Sequence, residues 1–360
     1  MVDGIGDVIL RELVGVFKDP REVFEAPKRR LIEVEGVGDK VAGNIKGFNH
    51  WDEVAREIER CQRLGVNLTV LSDPDYPPNL KEIYNPPPVI YGRGSVTEDD
   101  KYAIGIVGAR TPDKYGRLVA EKLAEELALM GITVVSGMAR GIDSTAHRGA
   151  LRVGGRTLAV MGSGIDVVYP PENRKLFREI SENGACLSEF PLGIGPDAAN
   201  FPKRNRIISG LSLGVVVIQA SSKSGALITA SYALEQNREI FSVPGNINTR
   251  LSVGTNRLIK AGAKLVEGVE DIVEEIGLLR GFLDERGDDK PTKPTDLNKE
   301  ENAVYSALGG GPLAIDDITR ALGVGSSNAL STLLTLELKG LVVQHPGKVF
   351  ELRGLPAKGT

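Results

Sequence analysis

Ala103-Ile104-Gly105-Ile106-Val107-Gly108-Ala109-Arg110-Thr111 decides the fold. The run Ala103 to Val107 is apolar without polar alternation, which reads as a strand buried on both faces. The glycine and arginine that follow form a tight turn into the helical pattern Tyr115 to Met130. This unit recurs down the chain. Apolar runs Ile132 to Val135, Thr157 to Met161, Ala185 to Leu187, Gly214 to Ile218 and Ile240 to Val243 alternate with helical patterns Ile142 to Val153, Pro171 to Asn183 and Ala226 to Asn237. Such alternation predicts an α/β domain, a doubly wound and mainly parallel sheet over residues 68–280. The proline-dense stretches Asp73 to Leu80 and Pro86 to Gly94 lead into it and predict an extended path rather than a helix.

Outward from this centre the composition changes on both sides. Residues 1–67 carry amphipathic helical patterns at Val8 to Phe17 and Trp51 to Leu64. Two glycine hairpins, Gly4-Ile5-Gly6 and Gly36-Val37-Gly38, each precede a helix, and the second resembles a helix-hairpin-helix motif. The first hairpin stands almost at the chain start, so either this small helical domain is pared down or the true start lies upstream of Met1. Residues 281–299 are charged and proline-bearing with little apolar content, the composition of a linker. Residues 300–360 show three helical patterns and a short apolar hairpin around His345-Pro346-Gly347-Lys348, which predicts a winged helix. Its recognition segment, Ser326 to Leu334, has no lysine or arginine before Lys339, so a protein partner or weak duplex contact is expected there.

Composition removes several function classes. The chain has 44 basic and 48 acidic residues, a net charge of −4, so any nucleic-acid surface must be a local cluster. Its two cysteines, Cys61 and Cys186, cannot form a disulfide framework and suit a reducing, cytoplasmic compartment. No apolar run approaches the roughly 20 residues needed to span a bilayer, and no secretion signal is visible.

In an open α/β sheet, ligands bind beyond the carboxyl ends of the strands. The loop after the first strand lacks the Gly-x-Gly-x-x-Gly pattern, and the second strand ends in Ser136-Gly137 rather than an acidic residue, so a dinucleotide cofactor is disfavoured. Gly108 with Arg110 suits a phosphate, though the pair also describes a plain tight turn with an exposed arginine. Ser136-Gly137, Arg140 and Gly141 precede a helix whose free N–H groups favour anions. Asp143 and His147 share a helical face, and without a nucleophile or metal cluster beside them they read as a structural hydrogen bond. Phe201-Pro202-Lys203-Arg204-Asn205-Arg206 puts three cations and an amide behind an aromatic ring, as single-strand binders do. Cations at a helix start oppose its dipole, which favours an anionic partner over a solvated helix start. Lys223-Ser224-Gly225 is a fourth such turn, yet a complete phosphate-loop pattern is missing and ATP hydrolysis is not supported.

These segments together resemble the DNA-processing protein A (DprA/Smf) family. The resemblance rests on Tyr76-Pro77, Pro87-Pro88, Gly92-x-Gly94, Ile106-Val107-Gly108-x-Arg110, Ser136-Gly137-x-Ala139-x-Gly141-Ile142-Asp143-x-x-Ala146-His147, Tyr169-Pro170 and Ser188-Glu189. It continues through Phe201-Pro202-x-Arg204-Asn205-Arg206-Ile207-Ile208, Ser224-Gly225-x-Leu227-Ile228-Thr229-Ala230 and Val243-Pro244-Gly245. It implies an extended Rossmann-like domain, with a front helical (SAM-like) domain and a winged helix. It also implies single-stranded DNA bound in a basic pocket, dimerisation, and help in loading RecA recombinase onto incoming DNA during natural transformation. No cofactor is expected. Carried over by position, Arg110, Ser136, Gly137, Arg140, Lys203, Arg204 and Arg206 would hold phosphates and Phe201 would stack a base. Serine is common in the family after Ile-Val-Gly, and Ala109 here removes one hydroxyl contact. The alternative is a nucleotide hydrolase of the lysine decarboxylase-like group. No glutamate follows Pro244-Gly245 or Gly254-Thr255 where its acid/base would stand.

Overall fold

The structure is a computed structural model that describes residues 2–287, 297–309, 311–338, 341–345 and 347–352. Most of the expected linker, residues 288–296, together with Lys339 and the chain end 353–360, lies outside the described residues. The chain forms two compact units, Met1–Asp284 and Glu285–Thr360.

The first unit is built on one sheet. Its strands are β1 Asn67–Val70, β2 Val89–Gly94, β3 Ala103–Gly108, β4 Thr133–Ser136, β5 Thr157–Val160, β6 Gly184–Ser188, β7 Gly214–Ile218, β8 Glu239–Ser242 and β9 Lys264–Leu265. They lie in the order β1-β2-β6-β5-β4-β3-β7-β8-β9. From β6 to β9 every pairing is parallel, whereas β2 joins β6 and β1 joins β2 antiparallel. The Rossmann-like expectation therefore holds, with an antiparallel extension made from the proline-rich lead-in. One short helix, Pro78–Lys81, interrupts that extended path. Proline at the first helical position loses no hydrogen bond there and its fixed φ suits helix entry.

The unbroken apolar strands face two cores. Ile104, Ile106, Val134, Val216 and Ile218 pack on one side of the sheet, under the helices Lys114–Leu129 and Ile142–Arg152. Ala103, Val107, Val135, Val215 and Val217 pack on the other. This is the two-residue alternation of a pleated strand, with both faces dry. The helix Lys114–Leu129 starts where Asp113 accepts a hydrogen bond from the Gly116 N–H at 2.9 Å.

The N-terminal helices Asp7–Phe17, Pro20–Glu25, Lys28–Ile32 and Asp39–Lys46 enclose a small core of their own around Leu13, Phe17, Leu31 and Ile45. The next helix, Trp51–Leu64, instead inserts Cys61 among Ile165, Leu192 and other residues on the sheet. Burial raises the pKa of both Cys61 and Cys186, so neither thiol is primed for reaction.

The second unit packs helices Lys299–Leu308, Ile315–Leu322 and Ser326–Leu338 against strands β10 Leu313–Ala314, β11 Val342–His345 and β12 Val349–Leu352. The strand order is β10-β12-β11, and Val304, Leu308, Ile318, Leu333, Leu336 and Phe350 fill its core. Asn298 and Glu301 form a reciprocal capping box at its first helix. Leu330 and Leu334 are exposed on the cation-free helix Ser326–Leu338. Among the described residues, no helix is long and apolar enough to cross a membrane.

Candidate nucleic-acid interface

The strand order fixes where a ligand can enter. β4, β5 and β6 are laid down on one side of β3, while β7, β8 and β9 are laid down on the other. The loops leaving β3 and β7 therefore diverge and open a crevice at the carboxyl end of the sheet. A cavity of about 740 Å³ occupies it. Gly108, Arg110 and Thr111 line it from the β3 loop, Phe201, Arg204 and Asn205 from the helix Asn200–Leu211, and Ser224 and Gly225 from the start of the helix Gly225–Glu235. A small recess beside it is lined by Arg110, Gly137, Arg140, Tyr169 and Phe201.

Phe201 is the hub. The Arg110 guanidinium lies 5.2 Å from its ring centroid and that of Arg204 5.8 Å, and the Tyr169 ring is tilted against it at 6.0 Å. Arg110 is exposed and makes no ion pair among the described residues. Arg204 lines the cavity although only 3% of its surface is exposed. Its Nη1 donates to the carbonyls of Gly137 and Val160, and its Nε donates to Asn205 Oδ1 at 3.3 Å. Burial pulls its pKa down to about 10, opposed by Asp143, so it stays cationic at neutral pH. Gly137 permits this arrangement. A Cβ there would stand 2.5 Å from Arg204 Nη1 and 2.6 Å from Asp143 Oδ2.

Asp143 accepts from the Ala139 N–H at 3.3 Å, and burial raises its pKa against the attraction of Arg204. It does not pair with His147. The His147 Nδ1 and Thr157 Oγ1 are 2.6 Å apart, and that hydroxyl already donates to the Val134 carbonyl at 2.7 Å. The imidazole must therefore donate from Nδ1, and its Nε2 is buried without a partner. Burial and the neighbouring Arg204 pull its pKa down to about 3, which keeps the ring neutral.

Other residues singled out from the sequence fall in different places. Arg140 stands beside the recess in an exposed ion pair with Glu172 at 2.5 Å. Gly141 caps the helix Ile142–Arg152 with φ of 79°. Lys203 and Lys223 are exposed and do not line the cavity. Ser224 caps its helix, accepting from the Ala226 N–H at 3.4 Å. Two residues are turned away from the crevice. Ser136 is fully buried and donates to the Ile106 carbonyl at 2.5 Å. Arg206 is buried against Glu189 and donates to the Asn85 carbonyl at 2.7 Å. Internal oxygens thus meet the charges of Arg204 and Arg206, which corrects the inference that helix-start cations demand an external anion. Tyr169, absent from the sequence-based set, comes from the loop after β5, which has no lysine or arginine to suggest an anion site.

The fold and crevice define a class: a Rossmann-like domain with a cationic, aromatic-lined opening at its topological switch point, joined to a winged helix. Comparisons with known proteins narrow this. A family model described as DNA recombination-mediator protein A matches residues 67–277, and one described as the DprA winged helix domain matches residues 288–348. Protein Smf of Synechocystis sp. is 36% identical over 98% of this chain and 96% of its own length. DNA processing protein DprA of Bacillus subtilis is 42% identical over 63% of this chain and 76% of its own. The structure of the Streptococcus pneumoniae DprA superposes with a TM-score of 0.68 at 32% identity, over 76% of this chain and 95% of that one. That of DNA processing protein A from Helicobacter pylori, described with a single-stranded DNA binding mode, gives 0.52 at 30% identity, over 61% and 97%. The chain belongs to the DprA/Smf family of DNA recombination mediators.

Proposed function

We propose that this chain binds single-stranded DNA in the crevice between the β3 and β7 loops and acts as a recombination mediator rather than an enzyme. The observation that carries the reading is the cluster at Phe201, with the exposed Arg110 guanidinium, which makes no ion pair among the described residues, 5.2 Å from its ring. Arg110, Arg140 and Lys203 would take phosphates, assisted by the Gly225 N–H at the start of the helix Gly225–Glu235, which lines the cavity. A base would stack on the Phe201–Tyr169 pair. The Helicobacter pylori relative supports this ligand class. Arg204 serves from beneath, supplying charge and holding the ring. Further along this reading, the chain protects incoming DNA in the cytoplasm and helps load RecA recombinase during natural transformation, working as a homodimer. Leu234 and Ile247, exposed beyond β7 and β8, suit a dimer surface.

Hydrolysis is the weaker reading. The carboxylate lining the cavity is Asp143, buried and raised in pKa with no second carboxylate opposite it in the lining. Asn256, near the position expected for an acid/base, is occupied with the backbone of Gly245 at 2.9 and 3.2 Å.

Titration of a fluorescent oligothymidine and a matched duplex at two salt concentrations tests the proposal. Tighter single-strand binding with a steep salt dependence and no product is the expected result. Equal affinity for duplex, or turnover of a nucleotide, would contradict it.

A further inference from the structure

The helix Trp51–Leu64 turns one face to the back of the crevice. Glu57, Arg60 and Cys61 are spaced three and four residues apart, so they project together. Cys61 is buried beside Ile165 and Leu192, which anchors the helix on the sheet. Glu57 Oε1 accepts from the Leu192 N–H at 2.8 Å. Arg60 Nη2 donates to Asp166 Oδ2 at 2.6 Å, and Asp166 Oδ1 accepts from the Gly193 N–H at 2.8 Å. Gly193 has φ of 82°, and a Cβ there would stand 3.7 Å from Arg60 Nη1. The Gly164 N–H donates to the Ile194 carbonyl at 2.8 Å, tying the two loops to each other.

Each contacted loop continues into the crevice. The segment from Asp166 leads to Tyr169, and the segment from Leu192 leads through Pro196 and Ala198 to Phe201. Residues 193–199 are exposed, so little apolar packing holds them. Their backbone geometry depends on hydrogen bonds at their root: Glu57 meets the Leu192 N–H directly, and Arg60 holds the Asp166 carboxylate that meets the Gly193 N–H.

We propose that Glu57 and Arg60 are positioning residues for the DNA crevice: helix Trp51–Leu64 fixes both aromatic-bearing loops from behind without touching the ligand. This rests on the proposed single-strand binding. It couples the N-terminal helices to the pocket through two side chains. Anything that shifts this helix would then change affinity for DNA.

The test uses the full-length chain with Arg60→Ala, Glu57→Ala and Arg60→Lys. Oligothymidine affinity should fall roughly three- to tenfold in the first two, with an unchanged salt slope, because no phosphate contact is lost. Arg60→Lys should recover most of the affinity. Hydrogen exchange at the Leu192 and Gly193 amides should accelerate in the first two variants with or without DNA. Unchanged exchange would overturn the proposal, as would unchanged affinity in variants whose exchange is altered. A salt slope flattened by about one contact would also overturn it, by making Arg60 a direct phosphate ligand. If the wild-type chain binds no single strand, the binding proposal fails, while the exchange data still decide whether the helix fixes the loops.

Discussion

Arg110→Ala removes an exposed guanidinium that lines the crevice. Arg110 is exposed, makes no ion pair among the described residues, and rests over Phe201. Its loss should therefore leave the stability of the chain within about 1 kcal/mol of wild type, the cation–π contact being the main term. Binding should respond more. A hydrogen bond to a charged group is worth about 1.5–3 kcal/mol. At an open site the lower end applies, which corresponds to roughly tenfold weaker binding. One lost phosphate contact should also reduce the salt slope by about 0.7 for a single strand. Across a fourfold change in salt, from roughly 50 to 200 mM, wild type should lose about threefold more affinity than the variant. Fluorescence anisotropy with an oligothymidine at several salt concentrations reads both quantities. A folded variant with wild-type affinity and slope would remove Arg110 from the interface and with it the placement of the phosphate path.

Arg204→Ala should behave differently. Removing it strands the Gly137 and Val160 carbonyls and leaves Asp143 without its compensating charge, so a stability loss of about 3 kcal/mol is expected in chemical denaturation. An unaltered denaturation midpoint would show that the buried network contributes nothing to the fold. Phe201→Ala should cost about 1–3 kcal/mol of oligonucleotide binding with the salt slope preserved, because stacking involves no phosphate. A flattened slope in that variant would mean that the ring acts only by holding Arg110. His147 titrates near pH 6.5 when unfolded but at about 3 in the fold, so between those values the unfolded chain binds the extra proton. Stability should therefore fall as pH drops below about 6.5, by about 1 kcal/mol per pH unit, and His147→Gln should flatten that dependence in denaturation series from pH 7 to 5. An identical slope in the variant would refute the neutral, buried imidazole.

The sheet was legible because its strands are dry on both faces. Unbroken runs such as Gly214 to Ile218 leave no polar residue to blur the reading. The site was legible at loops whose residues declare charge, hence Arg110 and Phe201. Residue type did not give direction. Phe201, Arg204 and Asn205 lie three and four apart and share a helix face, but Arg206 is two residues from Arg204, roughly 200° around the helix. Both cations could not face the crevice, and Arg206 turned to Glu189. Ser136 belongs to the strand itself, so its hydroxyl bonds within the sheet. Tyr169 stayed hidden because its loop carries acidic Asp166 and Glu172 but no cation to suggest a phosphate contact. The hold of helix Trp51–Leu64 on that loop depends on tertiary contacts that no local pattern encodes.

Photo-crosslinking of the full-length chain to an oligothymidine bearing a halogenated pyrimidine, followed by peptide mapping, tests the central claim most directly. The account predicts adducts on Phe201 or Tyr169, lost in competition with unlabelled single strand. Adducts confined to the N-terminal helices or the winged helix, with the crevice unmodified, would contradict it.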